Sequence, residues 1–196
     1  RVKSGEASTA DLKAACDLAH KHGILVCVDN TFCSPYLQKP IDFGADIVLH
    51  SMTKFINGKN DAVAGAICAS AQFVKDISDV NSGTAMLLGP ALDPLRSSSI
   101  LKNLHTLHIR MKQHSKNAMY LAERFKEIGL KYNYPGMPAH KEHDLMKEMM
   151  NEQFGFGGMI AIDMETPERA ADLMEAMQLK NVGYHAVSLG YFKTLF

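Results

Sequence analysis

Two short segments gather residue types that can do covalent and acid–base chemistry on a small molecule. Ser51-Met52-Thr53-Lys54 places two hydroxyls and an amine within four residues, and Asp29-Asn30-Thr31 sets a carboxylate, an amide and a hydroxyl in a row. Hydroxyls donate to phosphate oxygens. A lysine beside an apolar run can act as a nucleophile toward a carbonyl carbon. Asp29 directly follows the apolar run Ile24-Leu25-Val26-Cys27-Val28, a setting in which a cationic ring nitrogen is its natural partner. Each residue also has an ordinary alternative. A lysine after a strand is usually a solvated surface residue, and an aspartate there is often a turn former or helix cap.

The elements that must carry these groups follow from hydrophobic periodicity. Ser8 and Asp11 have the spacing of a helix start, and Leu12, Ala15, Cys16 and Ala19 repeat on one face of a helix that Gly23 ends. Residues 24–28 are apolar on both faces, as in a strand covered above and below. Asp46-Ile47-Val48-Leu49-His50 repeats the pattern and ends next to Ser51, and Ala62 to Ala69 forms a third such run. Alternating helices and buried strands predict an α/β sheet. In such sheets ligands are held by loops at the carboxyl ends of strands, where Asp29 and Ser51 to Lys54 both fall. A lysine able to form an imine, hydroxyls for a phosphate and an acid for a ring nitrogen are the contributions that pyridoxal phosphate (PLP) requires of a protein.

Beyond Gly89-Pro90 the pattern turns helical. From about Pro94 to Ile128, residues such as Leu101, Leu104, Leu107, Met111, Ala118 and Phe125 mark one long or broken helix linking two domains. Helices are predicted over 140–150 and after the Thr166-Pro167 cap, and strands over 157–164 and near 184–187. The 12 methionines, Met174 and Met177 among them, read as core filling.

Composition narrows the function classes. The 196 residues are 46% hydrophobic, enough for one sizeable core, and 21 Lys+Arg balance 21 Asp+Glu. That balance argues against a nucleic-acid tether or a polybasic membrane patch and leaves small molecules or other subunits as partners. No apolar run reaches the length of a spanning helix. Cys16, Cys27, Cys33 and Cys68 lack Cys-x-x-Cys spacing and read as the reduced thiols of a cytoplasmic protein, with Cys33 a buried thiol rather than a nucleophile. No metal site is expected: His140 and His143 stand among charges at a helix start. A nucleotide-binding α/β domain is the competing class, but no G-x-G-x-x-G precedes Asp29 and no Walker lysine motif occurs.

The stretch Val28-Asp29-Asn30-Thr31-Phe32, and above all residues 44–58 with Ser51-Met52-Thr53-Lys54 at their centre, resembles the Cys/Met-metabolism (trans-sulfuration) family of PLP enzymes. The likeness continues through Leu87-Leu88-Gly89-Pro90, Arg110-Met111, Tyr134-Pro135-Gly136, Gly157-Gly158-Met159 and Ser188-Leu189-Gly190. It implies an aspartate-aminotransferase-like (fold type I) α/β architecture. A large domain with a mostly parallel sheet flanked by helices would include residues 1–112, and part of a smaller α/β C-terminal domain residues 113–196.

The resemblance also implies roles. Lys54 matches the imine-forming and proton-shuttling lysine, Asp29 the partner of the ring nitrogen, Ser51 and Thr53 the phosphate ligands, and Thr31 a residue against the ring. Ser188 matches a serine beside the substrate carboxylate. The implied activity is carbon–sulfur cleavage of a sulfur amino acid. Elimination of L-methionine to methanethiol, 2-oxobutyrate and ammonia comes first, and cystathionine cleavage or γ-replacement is the alternative. The implied assembly is a homotetramer built as a dimer of dimers. Two positions depart from the family pattern. Met52 stands where a small residue is usual, and Lys59 replaces a histidine or glutamine before Asn60-Asp61.

Family members are considerably longer, so the chain reads as an internal piece whose sheet lacks part of its cover. Several hundred Å² of bare apolar sheet costs on the order of 10 kcal/mol at roughly 25 cal/mol per Å². Residues 1–196 expressed alone are therefore expected to be insoluble or to self-associate and to show no lyase activity. A soluble monomer with a cooperative thermal transition would overturn that expectation.

Overall fold

Helix α1 (Leu12–Lys21) begins where the carboxylate of Asp11 accepts the Ala14 N–H at 2.9 Å. The computed structural model describes residues 9–196, so the Ser8 cap lies outside the described residues. Cys16 on the inner face of α1 packs with Ala45 and Val48. Strand β1 (Cys27–Asp29), the single turn α2 (Ser34–Leu37), a 3-10 turn (Pro40–Phe43) and strand β2 (Ile47–Ser51) follow. Then come β3 (Gly65–Ala69) and the helices α3 (Ala71–Ile77) and α4 (Thr84–Leu88).

The strand order is β1-β2-β3. β1 runs parallel to β2 with Val28 opposite Val48, whereas β3 runs antiparallel with Ala66 opposite His50. The described sheet is thus mixed. A parallel neighbour needs a long crossover, usually a helix. Residues 52–64 hold no helix, so the chain returns antiparallel. The cover expected on both faces is also incomplete: Ile24, Leu25, Val63 and Ile67 are exposed. A groove of about 310 Å³ between the sheet and α3–α4 is lined by Ile47, Leu49, Ile67, Phe73 and Leu88.

The long helical stretch is two helices, α5 (Pro94–Leu104) and α6 (Leu107–Glu127). Asp93 caps α5 by accepting the N–H groups of Leu95 and Arg96. At the break, the Thr106 hydroxyl donates to the Asn103 carbonyl at 3.0 Å and accepts from Arg110 Nε at 3.1 Å. The domain boundary expected at residue 112 falls inside the unbroken α6.

The remainder forms β4 (Tyr132–Asn133), α7 (His143–Met149), β5 (Ala161–Ile162) and α8 (Pro167–Leu179). β4 and β5 pair antiparallel. The strand expected over 157–164 shrinks to β5, and its expected first residue, Gly157, has φ +85°, outside the extended region. Near 184–187 only a single bridge, Tyr184 to Leu195, forms. α7 starts later than the pattern implied, since His140 turns its ring onto Asn133 Oδ1 at 2.6 Å and onto the Glu142 N–H. Thr166 caps α8 as its sequence suggests. Met174 and Met177 are nevertheless only half-buried, and the methionines that fill the core are Met111, Met137 and Met149. Among the described residues no helix is long and apolar enough to cross a membrane.

The largest buried cluster lies directly beneath Lys54. Phe55, Ile56, Leu37, Ile100, Leu107 and Met111 meet there from α2, the post-β2 turn, α5 and α6. A second cluster joins Ala118 and Ala122 of α6 to Tyr134 and Met137. Here the backbone of Gly157 is satisfied twice by side chains: its N–H donates to Ser115 Oγ at 2.8 Å and its carbonyl accepts from Tyr134 Oη at 2.9 Å. Ser115→Ala leaves that N–H unpaired and is expected to cost about 1–3 kcal/mol. Urea unfolding of the complete polypeptide checks this, and an unchanged midpoint and slope would refute it.

Candidate active site at the carboxyl ends of β1 and β2

Asn30, almost fully buried, shapes the turn that follows β1. Its N–H donates to the Leu49 carbonyl at 2.8 Å, and its amide donates to the carbonyls of Ser34 (3.1 Å) and Gln38 (2.9 Å). Thr31 is thereby held over the end of β2. Its hydroxyl accepts the Ser51 N–H at 2.8 Å and donates to Asp29 Oδ1 at 2.6 Å, and its own N–H donates to the same oxygen at 3.0 Å. One threonine thus ties the two strand ends together and fixes the Asp29 carboxylate through Oδ1. Among the described residues Oδ2 has no donor and is open to a cationic N–H.

After β2 the chain makes a tight turn. Lys54 N–H bonds to Ser51 O at 3.2 Å, Asn57 N–H to Met52 O at 2.9 Å and Gly58 N–H to Lys54 O at 2.8 Å. Phe55 and Ile56 go into the core at 2% and 7% exposure, which leaves Lys54 on the open side. Arg110 of α6 locks the turn from below by donating to the carbonyls of Phe55, Ile56 (2.9 Å) and Asn103 (3.1 Å). Asn57, 1% exposed, donates to Asp61 Oδ1 at 2.7 Å and accepts from Asn103 at 2.8 Å. Gly58 has φ +71°, and a side chain there would collide with the Arg110 guanidinium.

The last partner arrives from far along the chain. Lys54 Nζ donates to Ser188 Oγ at 3.3 Å, and Ser188 Oγ donates to Asn60 Oδ1 at 2.8 Å. Gly190 permits this approach: at φ +74°, a β-carbon there would overlap the Phe55 backbone nitrogen and lie 2.8 Å from the Lys54 carbonyl carbon.

The two hydroxyls of the motif differ. Ser51 Oγ has no partner among the described residues. Thr53 Oγ1 accepts the Ala64 N–H at 3.0 Å and donates at 3.4 Å to the Ala64 carbonyl, a long bond that a phosphate oxygen could replace. An open cleft of about 620 Å³ runs from Thr53 and Asn60 to Asp93 and Arg96. The residues present therefore fit PLP: an amine, a carboxylate with one open oxygen and two hydroxyls share one end of the sheet.

Two histidines stand behind the site. His50 is buried with Nδ1 unpartnered; desolvation pushes its pKa down, against the pull of Asp29. His114 meets Phe55 edge-on at 5.5 Å, and burial, reinforced by Arg110, lowers its pKa as well. In both rings burial thereby favours the neutral form. Burial pushes the Cys33 thiol up to about 11, which suits a packing role rather than a nucleophile.

Lys54, Asp29, Thr31, Ser51, Thr53 and Ser188 were all singled out by sequence, and the structure brings them to one end of the sheet. Arg110, Asn57 and Gly190 were not assigned roles. The signals for Arg110 are its place in the Arg110-Met111 segment of the family likeness and its position between Leu107 and Met111 on a buried stripe. The rings of His140 and His143 are engaged by Asn133 and by the Pro135 carbonyl (2.9 Å), and among the described residues no cluster of metal-ligating side chains occurs.

Comparison with known proteins accords with this geometry. Residues 4–196 match the family model for Cys/Met metabolism PLP-dependent enzymes. The chain is 42% identical over 189 residues to methionine gamma-lyase of Arabidopsis thaliana, covering 96% of this chain and 43% of that protein. It is 38% identical to L-methionine gamma-lyase of Porphyromonas gingivalis, covering 94% and 45%, and 41% identical to cystathionine gamma-lyase of Dictyostelium discoideum, covering 77% and 38%. Among solved structures, cystathionine gamma synthase of Xanthomonas oryzae pv. oryzae, in complex with aminoacrylate and cysteine, superposes with a TM-score of 0.85 at 36% identity, over 95% of this chain and 46% of that one. The chain thus spans less than half the length of these relatives.

Gly190→Ala is expected to destabilise the fold by roughly 1–3 kcal/mol through the disfavoured φ and the backbone overlap, and to separate Ser188 from Lys54. Thermal denaturation and a crystal structure of the variant test this. An unmoved Ser188 would refute it.

Proposed function

Because the chain belongs to the Cys/Met metabolism family of PLP-dependent enzymes, which has the fold type I architecture, we propose that it supplies the lysine-bearing part of an active site for cleaving the carbon–sulfur bond of a sulfur amino acid. The observation that carries this reading is the meeting of Lys54 Nζ with Ser188 Oγ at 3.3 Å, across 134 residues of sequence, at the strand ends that also hold Asp29, Thr31 and Ser51. When bound, PLP supplies an aldehyde carbon for the amine and a ring that withdraws electrons from the substrate Cα.

The protein groups divide the rest of the work. Lys54 would hold the cofactor through its amine and, once released by substrate, would take the proton from Cα and relay protons at Cβ. Asp29, whose Oδ2 is left open, would pair with the ring nitrogen and favour its protonated form, while Thr31 immobilises the other carboxylate oxygen and would lie against the ring. Ser51 and Thr53 would donate to the phosphate. Ser188 borders the substrate carboxylate and orients the lysine amine.

The first-choice reaction converts L-methionine and water to methanethiol, 2-oxobutyrate and ammonia, with the Cγ–S bond broken. The similarity to methionine gamma-lyases over nearly the whole chain supports this choice. The alternative is cystathionine cleavage or γ-replacement, since relatives also include O-succinylhomoserine sulfhydrylase and cystathionine gamma-synthase. We assign residues 1–112 to the large domain and 113–196 to the small one, with α6 crossing between them. A homotetramer and a cytoplasmic location complete the proposal. All four cysteines are unbridged, as a reducing compartment requires.

Assay of the complete polypeptide with methionine, cystathionine, and O-acetylhomoserine plus sulfide separates the reactions. Release of 2-oxobutyrate from methionine is expected, and its absence would refute the first choice. Lys54→Ala is expected to abolish the visible absorbance of the bound cofactor and nearly all turnover. Asp29→Asn should keep the cofactor but lose roughly a hundredfold or more in rate. Unimpaired elimination by either variant would remove that residue from the mechanism.

A further inference from the structure

The geometry points to Asn60 as a positioning residue that sets the direction of the hydrogen-bond chain ending on Lys54; this rests on Lys54 being the lysine that captures the cofactor. A hydroxyl has a single proton to donate. Ser188 gives that proton to Asn60 Oδ1 at 2.8 Å, so it offers Lys54 only lone pairs, and Lys54 Nζ must donate to it at 3.3 Å. In the deprotonated form that attacks a carbonyl, the amine is then held through one of its N–H bonds, with its own lone pair turned away from Ser188. That lone pair is what attacks a carbonyl carbon or takes a proton. Without an acceptor at residue 60 the Ser188 hydroxyl can rotate and donate to the amine nitrogen, tying up the electron pair on which its reactivity depends. Ser188 thus activates or masks the lysine according to what stands behind it.

The placement of Asn60 is specific. It has φ +54°, a left-handed conformation that asparagine tolerates better than most residues, and it follows Gly58 in the turn anchored by Asn57 and Arg110. Its side chain reaches across 128 residues of sequence to Ser188, and Asn60 itself lines the cleft together with Thr53. The same φ supplies a competing explanation, in which Asn60 is present only to make the turn. Glycine separates the two, since it keeps the backbone conformation and removes the acceptor.

The test is a double-mutant cycle in the complete, cofactor-free polypeptide. PLP is added, borohydride quenches at timed intervals, and the mass of the Lys54 peptide gives the rate of covalent capture. Asn60→Gly is expected to slow capture about three- to tenfold with an unchanged thermal midpoint. Ser188→Ala should slow capture in the native background and have little further effect, or a compensating one, when combined with Asn60→Gly. Asn60→Asp, which retains an acceptor and tolerates the left-handed turn, should preserve the full effect of Ser188→Ala. An equal effect of Ser188→Ala in the native and Asn60→Gly backgrounds would overturn the inference, as would unaltered capture by Asn60→Gly. If the native protein carries no label on Lys54, the proposed function falls with it, which distinguishes that failure from one confined to Asn60.

Discussion

The guanidinium of Arg110 under the Lys54 turn is the interaction on which the site depends. Three backbone carbonyls, those of Phe55, Ile56 and Asn103, point at one planar cation instead of at water. A carbonyl buried without a donor is costly, and a single arginine with five N–H groups satisfies all three while bridging the turn to α5 and α6. With the turn fixed, Phe55 must enter the core and Lys54 must leave it. The Lys54 amine therefore stands next to one of the most buried residues of the protein, and its root has little freedom to drift.

On the other side of the site, Thr31 does for the acid what Arg110 does for the lysine. By accepting from Ser51 and donating to Asp29, it makes the relative position of the two strand ends part of one hydrogen-bonded unit. Burial of His50 behind that unit disfavours its cationic form, against the pull of Asp29. The carboxylate consequently keeps one oxygen available to whatever cation approaches from the open face.

How much of this was legible in the sequence follows from the range of each interaction. The apolar runs before Asp29 and Ser51 located the strand ends, because burial of a short strand is recorded in its own residues. The reversed direction of β3 was not recorded there; it follows from a connection that lacks a helix, which becomes clear only when the turn is seen folded. The break between α5 and α6 comes from side-chain bonds of Thr106, whose type is compatible with a helix. Met174 and Met177 looked like core because periodicity marks a face without saying what covers it. Ser188 came from family resemblance alone, and no spacing rule links it to a lysine so distant in sequence. Gly190 stood only within the family likeness and Asn60 only beside the Lys59 departure, neither with a role, because glycine and asparagine in loops are common and their backbone conformations gain meaning only from what lies opposite.

The contact between Gly190 and the Lys54–Phe55 peptide has a consequence for the order of assembly. During synthesis Lys54 leaves the ribosome long before Ser188, which lies 134 residues downstream. Closing so long a loop carries an entropic penalty that local turns avoid. The strand ends, the turn and its arginine can therefore form early, as a lysine without its hydroxyl partner, and the docking of the Ser188–Gly190 segment comes late. Reactive geometry arises at the end of folding, so a partly folded chain carries the amine without the group that aims it.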